Sequence, residues 1–378
     1  PRSVRADLDA RHPARLVGDE SVGRGLGHEG HARVEAAMQQ RGDVLVLRGQ
    51  PGGCVEEEER TARWHGEPES VGGHLARWDS EVVELEGDAL ERRYDSAVSY
   101  RLAENIRLAL ERGEDPDRKL VQRAHSLGLH AYASIRMNDN HFDGAQLEDL
   151  AELRHADMTQ LRRQHPEWLL GPVDNPFHDE RITGFSRYSY NFGLRDVRDY
   201  KLTIATEAIQ NYDLDGMDWD FCRQPRLFPE GQADTNAIHL TDMLRTVRKA
   251  LDDKGRQVGR KLLFSVRVPP TFKLAAGFGM DVRTWIDEGL IDILVAGVVY
   301  ASMFRVPVEE YVEAARDTDI KVIAQNLGLF WTGRPQSARV MYHEPEVFTT
   351  EMCRASAASY WQAGVDGIYL WNNQLIPF

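Results

Sequence analysis

Two aspartates stand two residues apart in the stretch Tyr212-Asp213-Leu214-Asp215-Gly216-Met217-Asp218-Trp219-Asp220-Phe221-Cys222-Arg223. Strand side chains alternate between faces. A strand here therefore puts Asp218 and Asp220 on one face and Met217, Trp219 and Phe221 on the other. The bulky apolar set belongs under helices, so the two acids point inward at a strand end. Carboxylates about 7 Å apart along one strand repel when both are ionised. That suits a nucleophile or base beside an orienting or proton-sharing partner. The competing reading, a solvated acidic loop, is weaker, because burying two acids without a use is costly.

Other polar groups gather at strand ends. Arg136-Met137-Asn138-Asp139-Asn140-His141 packs hydrogen-bonding groups into six residues. Arg136, Asn138 and His141 suit a sugar's hydroxyls or carboxylate, and Asp139 is the candidate partner carboxylate for Asp220. An Asx-rich turn around a structural Arg is the alternative. Asp139 with His141 could also ligate a metal, but no H-x-H or H-E-x-x-H pattern supports this, and no metal or other cofactor is assigned. Arg267 ends a later strand, where it could bind an anionic group or restrain Asp218, with a plain structural ion pair as the alternative. Tyr300, Gln325 and Asn326 are further candidate substrate contacts. Trp371 is a candidate stacking surface for a sugar ring, and Glu344 is a reserve proton donor.

The elements that must hold these residues alternate in type. Strand patterns fall at Asp43–Arg48, Leu129–Ile135, Arg187–Phe192, Gly216–Phe221, Lys261–Val268, Ile291–Val299, Ile320–Asn326 and Gly367–Trp371. Helix patterns separate most of them, at Leu102–Arg112, Pro116–Leu127, Asp196–Asn211, Thr235–Leu251, Val282–Glu288, Val308–Asp317 and Glu346–Ala363. Alternation implies parallel strands joined by right-handed crossovers. Eight strands close a (β/α)8 TIM barrel. A doubly wound open sheet also alternates, but would carry a Gly-rich phosphate turn early in the chain. The expectation is an α/β (β/α)8 barrel over residues 43–378, lacking its last helix, with residues 1–42 as an irregular N-terminal arm.

Composition narrows the partners. The 378 residues carry 46 basic and 60 acidic side chains, a net charge of −14. Such a surface repels phosphate backbones, so nucleic acid is not an expected partner. No apolar run reaches the ~18 residues of a membrane span, and no secretory signal is visible. The cysteines Cys54, Cys222 and Cys353 form no C-x-x-C pair and no even disulfide framework, which slightly favours the cytoplasm. A carbohydrate is the expected partner; oligomeric state is not readable.

The stretch ending at Asp220 resembles the D-G-x-x-x-D strand-four motif of many TIM-barrel glycoside hydrolases. In the chitinase-type family the pattern is D-G-x-D-x-D-x-E, whose last Glu is the general acid. Asp215, Gly216, Asp218 and Asp220 match, and Cys222 stands where that Glu would be. In amylase-like and α-galactosidase-like barrels the last Asp of the comparable motif is the nucleophile, which corresponds to Asp220. Together with Arg136–His141, His165-Pro166-Glu167-Trp168, Val197-Arg198-Asp199-Tyr200, Val266-Arg267-Val268-Pro269 and Trp285–Asp292, residues 120–373 resemble the bacterial glycosyl hydrolase-like TIM-barrel proteins of the family-10-like group. The resemblance implies a glycosidase with Asp220 at its centre. Two alternatives stay open: a metal-assisted lyase, isomerase or hydrolase using Asp139, His141, Asp218 and Asp220, and a sugar-binding barrel without activity.

Overall fold

The computed structural model describes residues 45–47, 61–64, 97–138, 159–171, 188–222, 224–297, 305–327, 329–330, 346–347 and 349–371. In chain order the elements are β1 (Leu45–Leu47), β2 (Thr61–Trp64), α1 (Ala97–Glu111), α2 (Pro116–Ser126), β3 (His130–Arg136), α3 (Gln160–Gln164), α4 (Arg195–Asn211), β4 (Gly216–Asp220), α5 (Ala233–Val258), β5 (Leu263–Val268), α6 (Phe272–Gly277), α7 (Val282–Asp287), β6 (Ile293–Ala296), α8 (Glu309–Ala315), β7 (Lys321–Leu327), β8 (Leu329–Phe330), β9 (Glu346–Val347), α9 (Thr350–Ala363) and β10 (Gly367–Trp371). A single 3-10 turn spans Pro166–Trp168. No described helix is long and apolar enough to cross a membrane.

Six strands run parallel in the order β3-β4-β5-β6-β7-β10 and curl into the body of a mixed α/β fold. β2 lies parallel beside β3, and β1 completes the ring of pairings antiparallel to both β2 and β10. The eight expected strands are thus corrected in two ways. The first strand is antiparallel, so the ring is not all-parallel. The stretch Arg187–Phe192 is not one of its strands. Within it Tyr190 makes only an isolated bridge to Leu169, and Thr61–Trp64 supplies the eighth strand instead. As a result β3 is the direct neighbour of β4, with no strand between them. The expected helix Glu346–Ala363 starts later, at Thr350, where the Thr349 hydroxyl caps Met352 N; Glu346–Val347 pairs instead with Leu329–Phe330.

The outer face of the sheet carries the core. Trp219 packs edge-on against Phe264 at 5.4 Å and Phe221 at 6.0 Å, and Phe221 meets Trp285 of α7 at 5.6 Å. The Trp285 indole N–H donates to Thr241 Oγ1 of α5, which removes the cost of burying that donor. These contacts fix the parity of β4: its aromatic set lies under helices, so Gly216, Asp218 and Asp220 face inward. At the bottom of the strand a side chain on residue 216 would lie 2.2 Å from Leu263 O and 2.5 Å from the Tyr132 ring. Only glycine lets Tyr132 close the base of the interior.

Aspartates just before three strands repeat one arrangement. Asp215 Oδ2 accepts from Ala131 N, Asp292 Oδ2 from Phe264 N, and Asp366 Oδ2 from Val322 N. Each carboxylate thereby clamps the start of the neighbouring strand: β4 to β3, β6 to β5, and β10 to β7. Basic side chains hold the same acids from outside: the His125 ring and Arg260 on Asp215, Arg248 and Lys261 on Asp292, Lys321 on Asp366.

Candidate functional site

The inner face becomes polar toward the C-terminal ends of the strands. One layer aligns Ser134, Asp218 and Ser265 in register across β3, β4 and β5; the next aligns Arg136, Asp220 and Arg267. Ser134, Asp218 and Ser265 are all essentially buried, and Ser134 Oγ donates to Asp218 Oδ2 at 2.7 Å. The hydroxyl supplies a donor that an apolar strand would deny the acid.

Asp220 is held from two sides. Its Oδ2 accepts from Arg267 Nη1 at 2.6 Å, and its Oδ1 accepts from the backbone N of Cys222 at 2.8 Å. Both members of the ion pair are buried, at 4% and 0% exposure, where charge-assisted bonds are strong and an unpaired charge is costly. Burial pulls the Arg267 pKa down, but the Asp220 carboxylate, aided by Cys222 and Tyr369, more than reverses this and moves it up. The guanidinium is therefore a permanent cation. Its other edge is anchored as well: Nε and Nη2 both donate to Gln325 Oε1 of β7, at 3.0 and 2.8 Å. Its carbon lies 5.7 Å from the centre of the Tyr369 ring, within cation–π reach.

Arg267 reaches from β5 to β7 by passing over the end of β6. Gly297, just beyond β6, leaves room for this. A Cβ there would come within 2.4 Å of Gln325 Oε1 and 2.7 Å of Arg267 Nε. Gly297→Ala is expected to lower stability by about 1–3 kcal/mol, the usual cost of overpacking, by displacing the guanidinium. Urea unfolding checks this; an alanine variant with unchanged stability would show that the crossing tolerates a methyl group.

Asn138 is fully buried and committed to loops. Its Nδ2 donates to Tyr190 O and Arg226 O, and its Oδ1 accepts from Tyr190 N. It ties the segment after β3 to the segment after β4. Gln325 is likewise buried, with its amide oxygen spent on Arg267. Arg136 sits half-buried beside Asp220 in the register. Asn326 and Trp371 lie in β7 and β10, paired with Leu370 and Leu327; their side chains fall outside the described structure. Asp139, His141, Tyr300 and Glu344 lie outside the described residues. Among the described residues no group of His, Cys, Asp and Glu side chains could hold a metal ion.

Cys222 is 1% exposed, and burial pushes its thiol up to about 12, with Arg267 pulling down and the two aspartates pushing up. It stays a thiol near neutral pH and is a poor proton donor. We expect Cys222 to stay unmodified by iodoacetamide in the folded protein at pH 8 and to react on unfolding. Peptide mass mapping reads this, and native-state alkylation would contradict the burial.

Sequence reading missed Ser134, Ser265 and Gly297. The serines carry a signal, hydroxyls at inward positions of otherwise apolar strands; Gly297 reads as an ordinary loop residue.

No protein-family model matches the chain, so the family-10-like grouping has none behind it, and no curated protein matches either. Among solved structures, the glycoside hydrolase domain of PgaB (BpsB) from Bordetella bronchiseptica is 9% identical over 80% of each chain, with a TM-score of 0.44. A glycoside hydrolase family 18 N-acetylglucosaminidase from Paenibacillus barengoltzii is 16% identical, covering 56% of this chain and 55% of that one, at 0.30. A chitinase from Chromobacterium violaceum is 12% identical, over 57% and 55%, at 0.31. The chain thus spans about half the length of the latter two. These neighbours are glycoside hydrolases by name; likeness at this level decides nothing about the chemistry of the present chain.

Proposed function

We propose that this chain is a glycoside hydrolase acting on a poly- or oligosaccharide, with Asp220 as its nucleophile or base and Asp218 as the neighbouring acid. The observation that carries the reading is the state of Asp220. It is a buried carboxylate at the C-terminal end of an inner strand, charged against Arg267, with one donor on each oxygen. A carboxylate fixed in this way meets an anomeric carbon without reorganising. The burial of two acids and a cation in two adjacent layers is expensive unless it is used, and the C-terminal ends of parallel strands are where such folds place their chemistry.

The rest of the reading follows from this centre. Residues 43–378 form the catalytic unit, a (β/α)8-type barrel, with residues 1–42 as an arm. Asp139 is the proposed proton donor, since Cys222 stands in the acid's place of the chitinase-type pattern and is held as a weakly acidic thiol. Arg136, His141, Tyr300, Asn326 and Trp371 are proposed to line the sugar site, with Asn138 and Gln325 shaping it from behind. A glycosidase needs its two carboxyl groups about 5–5.5 Å apart for retention or 6.5–9.5 Å for inversion.

The test is a screen of reducing-sugar release from α- and β-linked glucans, chitin oligosaccharides and aryl glycosides, run in parallel with Asp220→Asn. Hydrolysis by the native chain that the variant loses supports the proposal. Sugar binding without turnover would instead favour the inactive barrel.

A further inference from the structure

The segment 221–228, which leaves the C-terminal end of β4, is tied down at both ends. Phe221 N donates to Arg267 O, and Cys222 N to Asp220 Oδ1. Farther on, Arg226 O accepts from Asn138 Nδ2, and Leu227 O from Phe192 N. Between these ties lies Gln224, with two features that stability alone disfavours. Its φ is +58°, and it is the one non-glycine residue with positive φ among the described residues. Left-handed backbone costs any residue with a Cβ, and such strain gathers at functional sites. Its side chain is 1% exposed, and Nε2 is buried with no hydrogen-bond partner among the described residues.

Cys222, Leu227 and Phe228 around it are also buried. A methionine would fill the same space without a stranded donor, and a glycine would take the same backbone without strain. A glutamine there leaves a buried amide donor that an acceptor from outside the polypeptide would satisfy. The segment begins at the proposed nucleophile, so the occupant of that site is the natural acceptor. We infer that Gln224 is a substrate-recognition residue whose Nε2 donates to a sugar oxygen, a hydroxyl or an N-acyl carbonyl, once substrate fills the mouth. The inference rests on the glycoside reading above.

The experiment uses the full chain and Gln224→Met. Thermal unfolding is followed without ligand, and binding of malto- and chito-oligosaccharides is followed by tryptophan fluorescence, which needs no turnover. The expected result is a Tm equal to the native value or up to about 3 °C higher, with affinity for the bound oligosaccharide at least tenfold weaker. Gln224→Asn, whose residue type tolerates left-handed backbone but is one methylene shorter, is expected to fold and lose affinity likewise; it decides the matter if the methionine variant does not fold. A lower Tm in both variants would make Gln224 a structural residue and overturn the inference. Unchanged affinity would overturn it as well. Binding without hydrolysis by the native chain would sink the hydrolase reading and leave Gln224 to be judged on affinity. No binding of any of these sugars would overturn both.

Discussion

Replacing Arg267 with methionine is expected to cost about 3–5 kcal/mol of stability, the range found when one member of a buried ion pair is removed. The size follows from geometry. Asp220 is almost fully enclosed, and the guanidinium is the cation that pairs with it. Gln325 Oε1 loses two donors in the same step. A buried charge left alone must protonate, draw in water or open the structure, and each of these is costly. Lysine should not substitute, because an ammonium cannot offer one edge to Asp220 and another to Gln325. Urea unfolding of Arg267→Met, Asp220→Leu and the double variant forms the check. The double variant should be more stable than Arg267→Met alone, since it removes the stranded charge. Additive losses would mean that the two side chains are not coupled.

Asp220→Asn should abolish turnover, with a loss of about a thousandfold or more on any substrate the native chain hydrolyses. The substitution is nearly isosteric, yet it is not silent. Asp220 accepts on both oxygens, from Cys222 N and from Arg267. An asparagine has one oxygen and one NH2, so one donor must face another donor. About 1–3 kcal/mol of stability should go with the activity. Circular dichroism at the assay temperature separates the two effects. A variant that stays folded and retains more than a tenth of native activity would remove Asp220 from the mechanism.

The central strands were legible because each is a short apolar run buried on its outer face, and their helices follow from amphipathic spacing and caps. Period-two alternation turned Met217, Trp219 and Phe221 outward and so turned Asp218 and Asp220 inward. The same rule misled at Arg187–Phe192. Tyr188, Tyr190 and Phe192 alternate and are buried as a strand's residues would be. They pack beside the sheet instead, where Arg162 lies 4.4 Å from the Tyr190 ring centre and Asn138 takes Tyr190's backbone groups. Periodicity reports which side chains are buried, not which edge they pair with. Nor did sequence find the right partners of Arg267: it offered Asp218, whereas the strand register sets Arg267 beside Asp220, and its partners Asp220 and Gln325 lie 47 and 58 residues away. The acidic residue of the D-G pair, Asp215, reads as part of a catalytic motif but serves the base of the sheet.

That base and the rim divide the work of holding the sheet. The aspartate clamps secure β3 to β4, β5 to β6 and β7 to β10, and skip the joins between. Asp220–Arg267 spans one skipped join, from β4 to β5; Arg267–Gln325 spans the other, from β6 to β7, by reaching across from β5. A lineage of such chains therefore cannot discard the proposed reactive centre and keep its architecture at no cost. Each drift at Asp220, Arg267 or Gln325 loosens a seam that no aspartate at the base clamps through a strand's backbone amide. Selection for mere persistence of the fold would preserve this rim, so the survival of these three residues in a descendant would testify to foldability before it testified to catalysis.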